Sequence, residues 1–295
     1  KMILENKLSV SSRTSYYLMF APALIMLLVV LYPFFQGVYT SLTNQKLYLE
    51  NSTFIGIGNY VEFFKNDEFR ASIYRTLFYT LAVISIQIPL GITVAWLLTQ
   101  SNKLQSLLRN TLVLPLLIPP VVAGLMWKTM MQPQSGILNW ILNSIGLPSF
   151  NWLSDIDTAL ISVVLIDTWV FTPFAALIFL AGFQSIPNDM TEAAQIDGAS
   201  SSLIFRAIQL PWLFPFIILV TLFRVSDSMK SFELFYVTTR GGPLNATRTL
   251  HITAYEEAFR WTNVGRAMAI VFFLWIISYF LSIFIMSKWK RKSEN

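Results

Sequence analysis

Six stretches of this chain are each long and apolar enough to cross a lipid bilayer, and they limit what it can fold into more than any other feature. They cover residues 16–40, 76–99, 111–131, 159–182, 208–238 and 268–287, the fifth interrupted by charges in its second half. A helix of about 20 mostly apolar residues spans the hydrocarbon core. Only structures that satisfy every backbone polar group internally survive there. Composition agrees: 13% of residues are charged, 55% are hydrophobic and the mean hydropathy is +0.57. An ordinary soluble domain is about 25% charged, so a soluble globule, a disordered chain and a nucleic-acid binder are excluded. With no Cys and one His, His251, thiolate metal sites, thiol nucleophiles and disulfides are ruled out and a His-based metal centre is not expected. The expected fold is an all-α integral membrane protein with six transmembrane helices, a single permeation-type domain over residues 1–295.

Basic residues set the orientation. If the N-terminus is cytoplasmic, the inside segments 1–15, 101–110, 184–207 and 288–295 hold 10 Lys and Arg in 57 positions. The outside segments 41–75, 132–157 and 238–263 hold 7 in 87. The tail Lys288, Lys290, Arg291 and Lys292 votes most strongly, and both termini are expected in the cytoplasm. Tyr16, Tyr17, Trp152 and Trp289 fit interfacial anchoring. The first stretch follows Lys7 and Arg13 like a leader, but its apolar run is too long and no small-residue cleavage site follows. The outer loops carry turn-rich stretches at 51–53 and 241–243, and residues 136–147 are periodically apolar, as a short helix lying on the outer surface would be.

The loop at 184–207 is the most informative. Pro187, Asn188 and Asp189 make a helix start, Glu192, Ala193 and Ala194 favour helix, and Gly198 permits a sharp turn before a second short helix. The spacing is Glu-Ala-Ala, three residues, Gly, nine residues, then Ile-x-Leu-Pro, and Glu192, Ala193, Ala194, Asp197, Gly198, Ile208, Leu210 and Pro211 fall within it. This resembles the cytoplasmic coupling loop of ABC importer permeases. Thr239, Gly241, Gly242, Pro243, Thr247 and Leu250 resemble a passage of the carbohydrate-importer members, of the maltose-transporter large-permease type. Phe54, Ile55, Gly56, Asn59 and Tyr60 are similar to the family's first outer loop. The resemblance covers residues 15–290 and lacks the extra N-terminal spans and large outer domain of some members. It implies a bacterial cytoplasmic (inner) membrane protein that forms half of a translocation path. Its implied partners are a second, homologous permease, an ABC ATPase dimer and an extracytoplasmic solute-binding protein. ATP and Mg would be bound by the ATPase and no cofactor by this chain, which contains no Gly-x-x-x-x-Gly-Lys-Ser/Thr phosphate loop.

Ionisable groups at bilayer depth mark function by default. Asp167 lies about 12 Å inside one end of span four and Arg224 about 21 Å beyond Leu210, at 1.5 Å per residue. Both depths fall toward the middle of a core about 30 Å thick. Spacing places Arg224, Asp227, Ser228 and Ser231 on one helix face. By the resemblance, the sugar-contacting positions of the maltose type fall on Asp167, Val170, Phe171, Phe174, Arg224, Asp227, Ser228 and Ser231. The charges there depart from the maltose pattern, which admits an acidic oligosaccharide. Two readings stand side by side: a site where Phe171 or Phe174 stacks on sugar and the polar groups bind hydroxyls, or an Asp167–Arg224 ion pair that only fixes helix packing. Pro115, Pro119 and Pro120 in span three, with Pro89 and Pro173, mark kinks or a gate. The competing functions are an ion-coupled secondary transporter, with Asp167 as the coupling carboxylate, and a membrane-embedded enzyme. The first lacks a visible internal repeat; the second lacks a nucleophile constellation.

Overall fold

The computed structural model describes residues 2–49, 51–100, 111–112 and 114–293, with side chains over 20–49, 51–99, 111–112 and 114–287. Lys103 and Arg109 lie outside the described residues. So do the side chains of Lys7, Arg13, Tyr16, Tyr17, Lys288, Trp289, Lys290, Arg291 and Lys292. The described residues are helical apart from loops and one isolated bridge between Thr43 and Phe54.

Among the described residues, four helices are long and apolar enough to span by themselves. They are α1 (Met2–Ser41, apolar over Phe20–Ser41), α3 (Asp67–Gln100), α6 (Ile156–Gln184) and α12 (Val264–Ser293). Short helices connect them: α2 (Gly58–Lys65), α4 (Pro120–Met130), α5 (Ile137–Ser144), α7 (Asn188–Ile196), α8 (Ser201–Trp212), α9 (Phe214–Met229), α10 (Glu233–Thr238) and α11 (Leu250–Phe259). The fifth expected span is broken. Helices α8 and α9 together qualify as one crossing bent by 59° at Leu213. Pro211 removes the N–H that would close the preceding turn and its ring crowds that turn, and Phe205–Gln209 just before it is widened to π-helix. Beyond Met229 the chain breaks at Lys230 before α10.

The third expected span, 111–131, is not one helix. Helical turns at 114–117 stop at Ile118 and Pro119, and α4 restarts with Pro120 in its first turn. A proline N–H cannot bond back and its ring biases the preceding residue away from helix, so three prolines in six residues leave only 11 residues of continuous α4. That is about 17 Å at 1.5 Å per residue, short of the bilayer core.

Helix α6 is the axis of the bundle, buried along most of its length. It packs along α3, where Gly91 meets Ala175 and Ala176: a Cβ at 91 would sit 3.0 Å from the Ala175 methyl and 3.3 Å from the Ala176 nitrogen. Small residues at a crossing let backbones approach closely, which drives helix association where lipid removes the hydrophobic gain. One apolar cluster (Tyr79, Val163, Ile166, Val170, Phe235) lies toward the α10 end of this axis. A second (Ile92, Ala95, Phe179, Leu180, Leu213) lies toward the α7 end. Helix α12 closes the third cluster with Phe63, Phe69 and Leu250. Helix α1 packs along α12, with Phe34 against Trp275 at 5.4 Å, and exposes most of its described apolar side chains over residues 20–35.

At the α10 end, the amphipathic helix expected over 136–147 forms as α5. Its Asn139 amide is saturated: Nδ2 donates to the Pro133 and Phe150 carbonyls, and Oδ1 accepts from Phe150 N–H and Trp152 Nε1.

Candidate functional site

Two stations hold the residues singled out in the sequence. The first is the loop between α6 and α8. Pro187 caps α7, which starts at Asn188 and buries no residue. Its end is a Schellman turn: Ala199 N–H donates to the Ala194 carbonyl at 2.9 Å and Gly198 N–H to Gln195 at 3.0 Å. Gly198 takes φ +80, and nothing lies within 4 Å of where its Cβ would be. Glycine is needed here for its backbone, not for space. Glu192, Ala193, Asp197 and Gly198 are exposed and Ala194 is half-buried. Met190 is 42% and Ile196 86% exposed among the described residues. The second half of the motif is built differently. Ile208 packs into the α7-end cluster, while Leu210 and Pro211 sit at the end of α8, just before the 59° bend. The motif therefore joins an exposed helix to a bent membrane helix.

The second station lies where α3, α6 and α9 meet. Arg224 and Asp167, 0% and 1% exposed, form an ion pair with Nη2 2.5 Å from Oδ1. Arg224 Nε donates to Gln87 Oε1 at 2.7 Å, and Gln87 Nε2 donates to Asp167 Oδ1 at 2.7 Å and to the Asp167 carbonyl at 3.1 Å. The Tyr79 hydroxyl donates to Asp167 Oδ2 at 2.6 Å. Phe171 lies under the guanidinium, 4.3 Å from Cζ, a cation–π contact strengthened by burial. Arg224 Nη1 has no partner among the described residues. A buried ion pair persists where hydrogen bonds satisfy the remaining lone pairs and protons, and here two neutral side chains of α3 supply them.

The sequence-derived face over 224–231 divides. Arg224 and Ser228 point inward, Ser228 donating to Thr80 Oγ1 at 3.1 Å. Asp227 belongs instead to the exposed stripe with Leu219, Phe223 and Lys230, where it pairs with Lys230 at 3.5 Å. Positions 224 and 227 differ by 300° at about 100° per residue, so they sit about 60° apart, enough to put one inside and one out. Ser231 lies beyond the end of α9 and is reached only by the Tyr79 hydroxyl at 3.4 Å. Val170 is core, and Phe174 packs edge-on to Phe223 at 5.8 Å. The pair that the sequence left open between substrate contact and packing is thus seen in the packing arrangement, closed over by its neighbours. Sequence reasoning missed Tyr79, Thr80 and Gln87. Gln87 carried a usable signal, since it is the only amide in span two and side-chain amides in membrane helices bond across to neighbours.

The Gly-Gly-Pro passage is a tight loop: Thr247 Oγ1 donates to the Gly242 carbonyl at 2.8 Å and lies 2.6 Å from Thr239 Oγ1. It leads into α11, whose Leu250 N–H donates to Thr76 Oγ1 on α3 at 3.0 Å. In the first outer loop, Asn59 Nδ2 donates to the carbonyls of Ser41 and Thr43 at 2.8 and 2.9 Å, tying α2 to the end of α1.

The whole chain is similar to known proteins. Residues 87–289 match the family described as binding-protein-dependent transport system inner membrane component. The chain is 39% identical over 250 residues to a probable ABC transporter permease, y4oQ, of Sinorhizobium fredii, covering 84% of this chain and 81% of that one. It is 31% identical over 294 residues to the trehalose/maltose transport system permease protein MalF of Thermococcus litoralis, covering 98% of each. In fold it superposes with TM-score 0.82 and 21% identity on a chain of a bacterial ABC transporter involved in import of the acidic polysaccharide alginate. That match covers 93% of this chain and 94% of the other.

Proposed function

This chain belongs to the family of binding-protein-dependent transport system inner membrane components, and from that premise we propose that it is the permease subunit of an ABC importer carrying carbohydrate. The substrate class is supported by the near full-length likeness to a trehalose/maltose permease. The chain would form half of the path, with a second permease supplying the other half, an ATPase pair below and a solute-binding protein outside. Six crossings are reached if α8–α9 count as one and the proline-broken stretch before α4 completes another. The basic residues then put both termini in the cytoplasm.

The observation that carries the coupling mechanism is α7, a helix none of whose side chains is fully buried among the described residues and which leaves Met190 and Ile196 exposed. Such a surface suits a groove in a separate subunit. Its Glu192 offers a carboxylate, and the small Ala193 and Ala194 permit close approach. ATP-driven closure of the ATPases would draw this helix and its counterpart together, turn the cavity outward to receive sugar, and release it inward after hydrolysis. In this reading Asp167, Arg224 and Ser228 join the helices that move, while Phe223, Asp227 and Lys230 face the path. The secondary-carrier alternative needs Asp167 free to exchange a proton or cation, but both of its carboxylate oxygens are already taken by Arg224, Gln87 and Tyr79.

The test begins by purifying the chain from its native membrane in mild detergent with whatever subunits accompany it. The reconstituted complex is then assayed for ATP hydrolysis with a sugar-loaded binding protein. Glu192→Lys should leave assembly intact and abolish the sugar-dependent rate. A variant that hydrolyses ATP and transports like the parent would refute the coupling role, and uptake that continues without ATP would refute the importer.

A further inference from the structure

At the end of the bundle opposite α7, the loop after α10 and helix α11 enclose a cleft of about 320 Å³. Neither the coupling helix nor the buried ion pair uses it. Its volume is at the lower end of ligand-sized clefts, about 300–1,000 Å³. One wall is aromatic: Tyr236 and Tyr255 lie 5.1 Å apart between ring centres, Tyr255 and Phe259 4.9 Å. Phe259 is 65% exposed at the rim. The polar groups are a carboxylate and planar guanidiniums, of which Arg240 and Arg260 are exposed. Glu256 is held by Arg248 at 2.5 Å and by Arg260 at 3.3 Å. Arg240, in the left-handed backbone region at φ 52, carries its guanidinium 5.8 Å over the Tyr236 ring. The Tyr236 hydroxyl bonded to Tyr255 holds the latter's proton and raises its pKa.

These groups define their ligand's chemistry. Rings that present a face or a broad edge suit a molecule with an apolar C–H face. Carboxylate and guanidinium forks suit paired oxygens on that molecule's edge. A sugar ring has both features on one flat body. The cleft also lies at the head of the exposed α9 stripe. His251, one turn before Tyr255 on α11, packs at a tilt against Phe232 at 5.7 Å and donates Nδ1–H to the Lys230 carbonyl at 2.8 Å. Lys230 in turn follows Leu219, Phe223 and Asp227 along that stripe.

We propose that the cleft between Tyr236, Arg240, Tyr255, Glu256, Phe259 and Arg260 is an entry subsite that takes one pyranose unit of the carbohydrate before it reaches the path. The proposal rests on the importer reading above and adds a second place where this chain touches sugar.

Because the chain has no cysteine, single-cysteine reporters test it directly. Phe259→Cys and Arg260→Cys variants, each leaving the other contact in place, are assembled with their partner subunits in nanodiscs. They are labelled with a membrane-impermeant maleimide in the presence of maltose, trehalose or glucuronic acid, without binding protein. With a saturating sugar at about ten times its dissociation constant, labelling should slow about tenfold. Tyr255→Leu or Glu256→Gln in the same background should abolish the protection, and a Leu244→Cys control, on the 84% exposed loop tip, should be indifferent. Unchanged labelling of both reporters in a preparation whose ATPase still responds to sugar-loaded binding protein would overturn the subsite and leave the importer reading standing. Protection by the binding protein but by no free sugar would overturn it in favour of a protein docking surface. An ATPase unresponsive to every sugar-loaded binding protein counts against the importer reading, and is read separately from the labelling.

Discussion

Replacing Asp167 by alanine should damage this protein more than replacing Arg224 by methionine, although the two residues form one ion pair. In Asp167→Ala the guanidinium keeps only its Gln87 contact and the face of Phe171. Arginine cannot shed its proton to escape burial. Breaking a buried pair so that a charge is stranded costs about 3–5 kcal/mol. In Arg224→Met the remaining carboxylate retains the Tyr79 hydroxyl and Gln87 Nε2. Two surviving hydrogen bonds at about 0.5–1.5 kcal/mol each bring the loss down to about 2 kcal/mol. The difference of about 2 kcal/mol corresponds to about 4–8 °C in melting temperature, at about 2–4 °C per kcal/mol for a chain of this size class. The double variant Asp167→Leu with Arg224→Met strands no charge and should melt above Asp167→Ala alone, since isosteric apolar replacement of a buried pair is often neutral or better. Thermal unfolding of the assembled complex in nanodiscs, followed by intrinsic tryptophan fluorescence, measures all three. Equal melting temperatures, or Arg224→Met the worse of the two, would refute the argument. So would full stability with transport lost in Arg224→Met, which would return Arg224 to direct substrate contact.

Other regions give independent expectations. At the α3–α6 crossing, Gly91→Leu drives a side chain into Ala175 and the Ala176 backbone. Overpacking costs about 1–3 kcal/mol or more, so the variant should fail to assemble while Gly91→Ala lowers the melting temperature only, as size-exclusion and melting curves would show. Asn139→Asp turns a donor amide toward the Pro133 and Phe150 carbonyls as a carboxylate. With each orphaned group costing about 1–3 kcal/mol, proteolytic nicking near α5 should rise. His251 has its pKa lowered from 6.5, first by burial, against the opposing effects of the Lys230 carbonyl and Glu233. Its folded pKa lies below the unfolded one, so the unfolded chain binds more protons between them. The stability contributed is complete above pH 6.5 and is lost as pH falls through that value toward the folded pKa. His251→Gln should flatten the melting temperature between pH 7 and 5 relative to the parent chain, and a parallel fall in both would contradict this.

What the sequence disclosed follows the range of the interactions involved. Helix α7 was legible because its signals are local: Pro187 before its first residue, and Gly198 where the chain must turn left-handed. Asp167 and Arg224 stood out because charge is rare in apolar stretches. Their mutual pairing was one of two readings, since depth along two helices does not say which way either faces. For the same reason Asp227 was grouped with Arg224, although a 60° offset sends it to the exposed side. Tyr79 and Gln87 carry no charge to mark them within an apolar stretch, yet they decide whether the ion pair is tolerable. Spans three and five were drawn as single helices because counting apolar residues measures length, not continuity. Prolines 115, 119 and 120 in one, and the Pro211 bend and the break at Lys230 in the other, interrupt the hydrogen-bond ladder without altering that count.

Helix α7 is tied to α6 by three residues, 185–187, of which Ile186 is buried, and to α8 by the Gly198 turn. A helix with only a shallow, half-buried face is held mainly at its two ends and by whatever grips its exposed side. With links this short, little displacement can be absorbed as slack. A load on α7 therefore passes as a torque to α6 at one end and to the 59° elbow of α8–α9 at the other, so the two helices that carry Asp167 and Arg224 are the first to feel it.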